Sequence, residues 1–213
     1  MSTASLLKFT VPLANDMSAG SQGLLMPKLA YRFRVSFEGF GVDPGKVTEL
    51  SKQVMDFTRP TVQFGDIVVD VYNSKIKLLG KPEWQDVTCN LRDDAAGNVS
   101  RIIGEQLQKQ YDFMEQSSAA AGIDYKFITR VEMLDGGNGA NAPTVLETWE
   151  LYGCYLSQVN YGEVNYASGT ELVKIAMTIK YDNAAQYTGA GSSDAPDGVG
   201  AFVGFLGGDV ATG

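Results

Sequence analysis

The residues best suited to chemistry in this sequence are two adjacent carboxylates, Asp93 and Asp94. Paired carboxylates are the groups that hard divalent cations and general acid–base reactions use. This pair stands directly before a segment with helical periodicity. There, an acidic side chain can accept hydrogen bonds from free backbone N–H groups and complement the helix dipole. Helix capping is therefore the better interpretation of the pair than a cation site.

Other charged residues have equally ordinary interpretations. Glu147 and Glu150 flank Trp149 in a strand-like segment, which predicts a solvated strand face. Arg32 and Arg34 share a strand face and could touch phosphate. We expect them instead to pair with acidic neighbours, including neighbours across an interface, because the net charge of the chain is negative.

Several classes of site have no support in the sequence. There is no histidine, the commonest general base and metal ligand. Cys89 and Cys154 form no CxxC pattern, and we predict buried free thiols. The glycine groups at 136–139 and 198–208 fit neither GxGxxG nor GxxxxGK[ST]. We therefore predict no catalytic residue, no cofactor and no metal, and a protein that is not an enzyme.

Composition points to an ordinary globular protein. Of 213 residues, 44% are apolar and 20% are charged, which suits one large domain or two small ones. The net charge of −8 disfavours a protein that grips nucleic acid, because neutralising phosphate needs clustered Lys and Arg. No secretory signal and no apolar run of about 18 residues are present. We expect a protein made in a cytoplasm and without a membrane-spanning segment.

Alternating apolar residues predict a strand-rich domain over residues 29–184. The predicted extended segments are 31–37, 46–57, 64–80, 87–91, 125–133, 149–158 and 172–181. One long helix is predicted over about 94–117, and its apolar stripe comprises Val99, Ile102, Ile103, Leu107, Tyr111 and Met114. The predicted fold class is mainly β with one packed α-helix (α+β), arranged as a β-sandwich or partial barrel.

Two terminal segments flank this domain. Residues 1–28 are predicted to be an N-terminal arm, and residues 185–213 a Gly-rich C-terminal extension. Each carries apolar side chains that should dock on a surface, and for the extension a neighbouring subunit is the natural one. These side chains are Leu6, Leu7, Phe9, Val11 and Leu13 in the arm, and Phe202, Phe205 and Leu206 in the extension.

The segment 64–80 predicts a β-hairpin with a two-residue loop at Asn73-Ser74. The predicted cross-strand pairs are Val71–Ile76 and Val69–Leu78 on an apolar face, and Asp70–Lys77 and Asp66–Lys81 on a charged face. A two-stranded hairpin is marginally stable alone in water. Its apolar face should therefore cover either the parent sheet or another subunit.

Several short sequence patterns follow one another in a particular order along the chain. They are Asn73-x-Lys75-Ile76-x-Leu78-x-Gly80, Trp84 and Asp86 before a strand, Arg92-Asp93-Asp94 before the helix, Leu151-Tyr152-Gly153, and Tyr181-Asp182. Over about residues 27–184, this order resembles the tail tube proteins of contractile-tailed (myovirus-type) bacteriophages. The terminal segments look longer than the usual ends of that family.

The resemblance implies a structural virion protein of the phage tail, made in the host bacterial cytoplasm. It implies hexameric rings in which inner strands of six subunits form one continuous barrel, and a helical stack of rings that forms the inner tail tube. Sheath contraction would drive this tube as a piston, and double-stranded DNA would pass through it without specific binding. The implied partners are further copies of the chain, the tail sheath, the baseplate hub, the tape measure protein and the tail terminator protein.

On this resemblance the hairpin reaches the adjacent ring. The candidate inter-subunit and inter-ring contact residues are Val69, Val71, Tyr72, Asn73, Lys75, Ile76 and Leu78. Asp86 and Glu132 are candidate lumen residues, because an acidic or neutral wall would not retain DNA, whereas a basic one would.

Two alternatives stay open. The chain could form the tube of a type VI secretion system (haemolysin-coregulated protein) or of a headless contractile injection particle, with a protein payload or none. It could also be a ligand-binding β-sandwich or an enzyme domain, which would require a deep pocket with convergent polar groups.

Overall fold

Antiparallel strands dominate the computed structural model, which describes residues 28–42, 47–135, 143–167 and 169–188. The strands are β1 (Phe33–Glu38), β2 (Val54–Phe57), β3 (Val62–Val71), β4 (Ser74–Trp84), β5 (Val87–Arg92), β6 (Tyr111–Asp112), β7 (Ser117–Ser118), β8 (Phe127–Leu134), β9 (Val145–Asn160), β10 (Lys174–Lys180) and β11 (Asn183–Thr188). The helices are α1 (Val47–Lys52) and α2 (Asn98–Gln110), with a 3₁₀ turn at Gly122–Asp124. The predicted mainly β class is confirmed.

The main sheet is organised around the long strand β9. The strand order is β1-β8-β9-β10-β5-β2, and β11 also pairs with β9. One end of β9 lies between β8 and β11, while its other end pairs with β10. The strand β9 therefore joins two halves of the sheet, and β1 and β2 are the end strands. Within the described residues no sheet closes on itself.

Alternation along the strands builds the core. Inward residues of β5 and β10, such as Leu91 and Met177, are fully buried, while their chain neighbours are partly or fully exposed. Cys89 and Cys154 are both buried and free, which confirms the prediction for the thiols. Burial raises the pKa of Cys89 to about 12 and that of Cys154 to about 11.

The helix α2 begins at Asn98, four residues later than the predicted start at about 94, and Gly97 rather than an acidic residue occupies the N-cap position. The Asp94 carboxylate accepts hydrogen bonds from the backbone N–H of Val99 (3.1 Å) and from Asn98 Nδ2 (2.9 Å), and the Val99 bond is the main reason why the pKa of Asp94 is lowered. Asp93 Oδ2 accepts a hydrogen bond from Ser100 Oγ (2.7 Å). Both carboxylates therefore order the turn that leads into the helix, and Asp94 satisfies one of the free N–H groups of the first turn although it is not the N-cap residue.

The helix is shorter than the predicted 94–117. Tyr111 is extended (φ −152°, ψ 123°) and pairs with Ser118 in the small β6–β7 hairpin, and Met114 is exposed. Tyr111 and Met114 continue the apolar spacing but not the helix, because pairing between β6 and β7 replaces helical hydrogen bonding. Gln106 joins the buried side: its Oε1 accepts the Gly41 N–H (2.9 Å) and its Nε2 donates to the Tyr125 carbonyl (2.7 Å).

Other predicted boundaries also change. The segment predicted as extended over 46–57 begins with the helix α1, whose Val47 and Leu50 are buried, and only then becomes β2. The strand β11 carries the folded chain past the predicted domain end at 184. The apolar residues predicted to dock in the N-terminal arm and the C-terminal extension lie outside the described residues.

Candidate assembly surfaces

The predicted hairpin is the far end of a longer ribbon. The strands β3 and β4 continue the pairing of β2 with β5, because the Thr58 N–H donates to the Thr88 carbonyl and the Gln85 N–H donates to the Thr61 carbonyl, both at 2.9 Å. Beyond these bonds β3 runs for 10 residues to the turn. At about 3.3 Å per residue the ribbon extends roughly 33 Å from the sheet.

The predicted register of the hairpin is wrong by two residues. The turn lies at Tyr72 and Asn73, so that Val69 faces Ile76 and Asp70 faces Lys75. Tyr72 takes a left-handed φ of 32°, a conformation that turn rules assign to Gly, Asn or Asp, and the loop is therefore missed by one position. A shift of two residues preserves the side-chain alternation, so the composition of each face stays as predicted.

The two faces of the ribbon differ in chemistry. Ion pairs between Lys75 and Asp70 (3.4 Å) and between Lys77 and Asp66 (3.5 Å) lie on one face. The other is an apolar face, defined by Ile67, Val69, Val71, Ile76 and Leu78, and each of these residues is 41% to 53% exposed. Among the described residues no strand outside the hairpin pairs with β3 or β4. An exposed apolar face of this size is typical of a surface that binds another protein.

The base of the ribbon is tied to the sheet through Glu147. Its buried carboxylate forms ion pairs with Lys28, where the described chain begins, and with Arg59, just before β3. It also accepts hydrogen bonds from Trp149 Nε1 and Gln186 Nε2, both at 2.7 Å. Burial alone raises the pKa of Glu147, but the hydrogen bonds from Lys28 and Trp149 and the charge of Arg59 outweigh it, so the pKa lies below its ordinary value.

This burial overturns the solvated face predicted around Trp149. Glu147 is 4% exposed and Glu150 is 1% exposed. Glu150 accepts hydrogen bonds from Arg130 Nε (2.9 Å) and from the Tyr152 hydroxyl (2.6 Å). Cationic partners on β8 and in loops, together with Trp149 and Tyr152 on β9 itself, satisfy the carboxylates, which allows them to be buried.

The two candidate lumen residues lie in different surroundings. Asp86 is partly exposed, and its carboxylate is 3.7 Å from Lys180 Nζ. Glu132 is buried under Arg34, with which it forms an ion pair. The pairing of Arg34 with an acidic neighbour confirms the prediction for that residue, and it leaves the guanidinium rather than the carboxylate at the surface. Arg32 instead donates hydrogen bonds to the backbone carbonyl of Asp135 and to the Tyr31 hydroxyl.

A groove of about 900 Å³ lies between the two end strands of the sheet. Its lining is mainly apolar, with Phe33 and Val35 from β1 and Val54 and Met55 from β2. The rest of the lining comes from Thr48, Ser51 and Lys52 of α1, from the charged residues Arg34 and Asp56, and from Ala30, Tyr31 and Leu134. One edge of β1 and one edge of β2 lack a described strand partner. Such edges are where a further strand can add to a sheet.

Neither a metal-binding cluster nor a membrane-spanning helix is found among the described residues. No group of three or more His, Cys, Asp or Glu side chains in this part of the chain is arranged to hold a metal ion. In the same ranges, no helix has the length and apolar character needed to cross a membrane. The groove between β1 and β2, the apolar face of the hairpin and the free strand edges are instead surfaces suited to protein contacts.

Comparison with solved structures places this fold among components of contractile injection systems. A cap protein of the anti-feeding prophage, described as a tube-terminating cap, matches with a TM-score of 0.53 and 15% identity over 83% of this chain and 97% of that chain. A chain from the sheath–tube complex of an extracellular contractile injection system (PVC) in its extended state matches with a TM-score of 0.52 and 12% identity, over 81% and 99% of the two chains. A chain from the six-fold symmetrised baseplate of the anti-feeding prophage matches with a TM-score of 0.50 and 12% identity, over 78% and 98%.

No family model matches the chain, and no curated protein matches it significantly in sequence. The mainly β subunit fold predicted from the resemblance to contractile tail tube proteins is shared with these structures, and the continuous barrel in a hexameric ring stays a prediction.

Proposed function

We propose that this chain is a structural subunit of the hollow tube of a contractile injection machine. The observation that carries the proposal is a tube-type fold whose projecting ribbon exposes an apolar face that its own sheet leaves uncovered. A soluble protein keeps such a face when another subunit covers it. The subunit therefore acts by stacking, and the contact residues are those of the apolar face together with Tyr72, Asn73 and Lys75 at the hairpin tip.

The proposed assembly is a stack of hexameric rings. Six copies in a ring could pair their free strand edges, which would remove edges that otherwise recruit strands without control. The six-fold symmetry named for the anti-feeding prophage baseplate supports this ring size. A ribbon that extends roughly 33 Å from its sheet is long enough to reach a neighbouring ring.

The finer proposal is an inner tail tube of a contractile phage, which works as a piston inside the sheath and as a conduit for DNA. The sequence resemblance supports this version, whereas the similar structures carry the names of the anti-feeding prophage and of an extracellular contractile injection system. The identity of the neighbouring genes distinguishes a phage tail tube from the tube of another injection machine. Capsid and terminase genes are expected for a phage, and their absence would favour a headless particle or a secretion machine.

A second candidate role is that of a tube terminator, because the tube-terminating cap matches this chain as well as the chain from the sheath–tube complex does. Negative-stain electron microscopy of the purified protein separates the two. A tube subunit should polymerise alone into long hollow tubes, whereas a terminator should form single rings that do not stack.

Deletion of residues 67–79 tests the role of the hairpin in the same assay. The shortened chain should remain soluble and keep the circular dichroism of the parent β domain, because the pairing of β2 with β5 lies outside the deletion. It should form no tubes. Tubes of normal length and number from the shortened chain would refute stacking through the hairpin.

A further inference from the structure

Two surfaces of this chain lack a described partner and have matching chemistry. One is the apolar face of the hairpin. The other is the groove between β1 and β2, whose lining is largely apolar and which is flanked by the free edges of both strands. The two surfaces lie at different ends of the same ribbon, because β2 lines the groove and the hairpin tip is remote from it.

The hairpin cannot enter the groove of its own chain. Residues 54–56 of β2 line the groove, and the ribbon leaves β2 at Phe57 and runs away from them. Antiparallel pairing from Val62 to Val71 holds it extended, with only one register irregularity, between Phe64 and Asp66. To fold back, the ribbon would have to reverse within itself and lose this pairing, so a hairpin that fills the groove must come from a second copy.

We infer that the apolar face of one copy docks in the β1–β2 groove of the copy stacked next to it. This inference rests on the proposed function and adds to it the surface that receives the hairpin. The contact is heterologous, because a hairpin meets a groove rather than another hairpin. A heterologous contact that repeats by translation does not close, and it generates an open stack such as a tube.

Charge and backbone chemistry favour the same occupant. The lining of the groove carries Arg34, Lys52 and Asp56, and the charged face of the hairpin carries Asp66 and Asp70 in ion pairs with Lys77 and Lys75, so each surface offers charges of both signs to the other. The outer edges of β3 and β4 have backbone groups without a strand partner among the described residues, and a neighbouring copy can pair with them while the edges of β1 and β2 pair within a ring. Apolar contacts on one side of the ribbon and ionic contacts on the other would fix its orientation in the groove.

Cysteine crosslinking in assembled tubes tests the contact, because the two native thiols are buried and give little background. Val69→Cys places a thiol on the apolar face, and Met55→Cys places one in the lining of the groove. Oxidation of tubes made from the double variant should give a ladder of covalent multimers. A mixture of the two single variants should give dimers and stop there, because each chain then carries only one of the two thiols.

The matched control keeps Val69→Cys and moves the second thiol to Gln158, which is exposed on β9 away from the groove. Disulfides need Cα atoms within about 7 Å, so the groove pair should crosslink at least about tenfold more than the control pair. Equal yields from the two pairs, or no ladder from tubes that are intact in micrographs, would overturn the docking contact while leaving the tube assignment standing. An unsubstituted protein that forms no rings or tubes would overturn both.

A third pair tests another occupant of the groove. Phe9→Cys combined with Met55→Cys asks whether residues near the start of the chain fill it. A disulfide formed within a single chain by this pair would assign the groove to the N-terminal segment and overturn the inference. Failure of this pair to crosslink, together with a ladder from the Val69 pair, is the result expected.

Discussion

Two neighbouring valines on β3 offer a matched test of which face of the hairpin makes the assembly contact. Val69 lies on the apolar face and is 41% exposed, whereas Val68 lies on the charged face and is 49% exposed. Val69→Asp and Val68→Asp make the same chemical change one residue apart. Neither substitution buries a charge in the isolated subunit, so both variants should fold with nearly unchanged stability.

The expected cost of Val69→Asp to assembly follows from burial. Full burial of a valine side chain contributes about 1.5 to 3 kcal/mol, so the exposed part of Val69 offers roughly 1 kcal/mol to a contact. An unpaired carboxylate in an apolar contact costs several kcal/mol more. A total of about 3 kcal/mol raises the critical concentration for tube formation by roughly a hundredfold. Val68→Asp should change it by less than about tenfold, because its face already carries carboxylates beside lysines.

The assay is sedimentation of polymer across a series of protein concentrations, with electron microscopy of the pellets. Circular dichroism of the soluble fraction shows whether each variant is folded. Equal critical concentrations for the two variants would refute the assignment of the contact to the apolar face. A larger effect from Val68→Asp than from Val69→Asp would assign the contact to the charged face.

Two further predictions concern groups that the fold buries. Glu147→Gln should lower the free energy of unfolding in urea by about 1 to 2 kcal/mol, since its basic partners are half exposed, whereas Glu163→Gln at an exposed site should leave it unchanged. The folded pKa of Glu147 is lowered, so its contribution to the free energy of unfolding is complete above the ordinary value of 4.5 and is lost as the pH falls through the folded value. The stabilities of the wild type and Glu147→Gln should therefore converge in acid. A stability difference that widens in acid would contradict this. Cys89 and Cys154 should not react with a thiol reagent at about pH 8 until urea unfolds the chain, and rapid labelling of the native protein would contradict their burial.

Local patterns predicted the strands that are built from alternating side chains. The period of two in Lys174–Lys180 survives in the structure because each inward residue packs in one continuous core. The strand β11 was missed, since Asn183–Thr188 has small and polar residues in both alternating positions. It becomes a strand because the long β9 offers it an edge, with Tyr187 opposite Thr148. The segment is therefore a strand because it pairs with β9, and its own residue pattern does not predict one.

The burial of Glu147 and Glu150 could not be predicted from the residues close to them in the sequence. Glu147 contacts Lys28 and Arg59, which precede it by 119 and 88 residues. A window around Trp149 shows two acidic residues at a spacing typical of a solvated face, and it contains the donors Trp149 and Tyr152 but none of the cationic partners that allow burial. The hairpin shows the converse case, because its faces depend only on residues within the segment and were predicted correctly even though the register was not.

The positions of the charges, rather than the net charge, decide which payload suits a channel lined by this sheet. On the face of β1, β8 and β9, the carboxylates of Glu132 and Glu150 are buried beneath arginines, and the side chain of Arg34 is 56% exposed against 8% for that of Glu132. The net charge of −8 is therefore not displayed on this face. An exposed row of arginines would bind phosphate and retain DNA through counterion release. A density map of the assembled tube should thus place Arg34 and Arg130 away from the channel if DNA passes through it. If both line the channel, the slippery DNA conduit is refuted, and a payload other than nucleic acid follows.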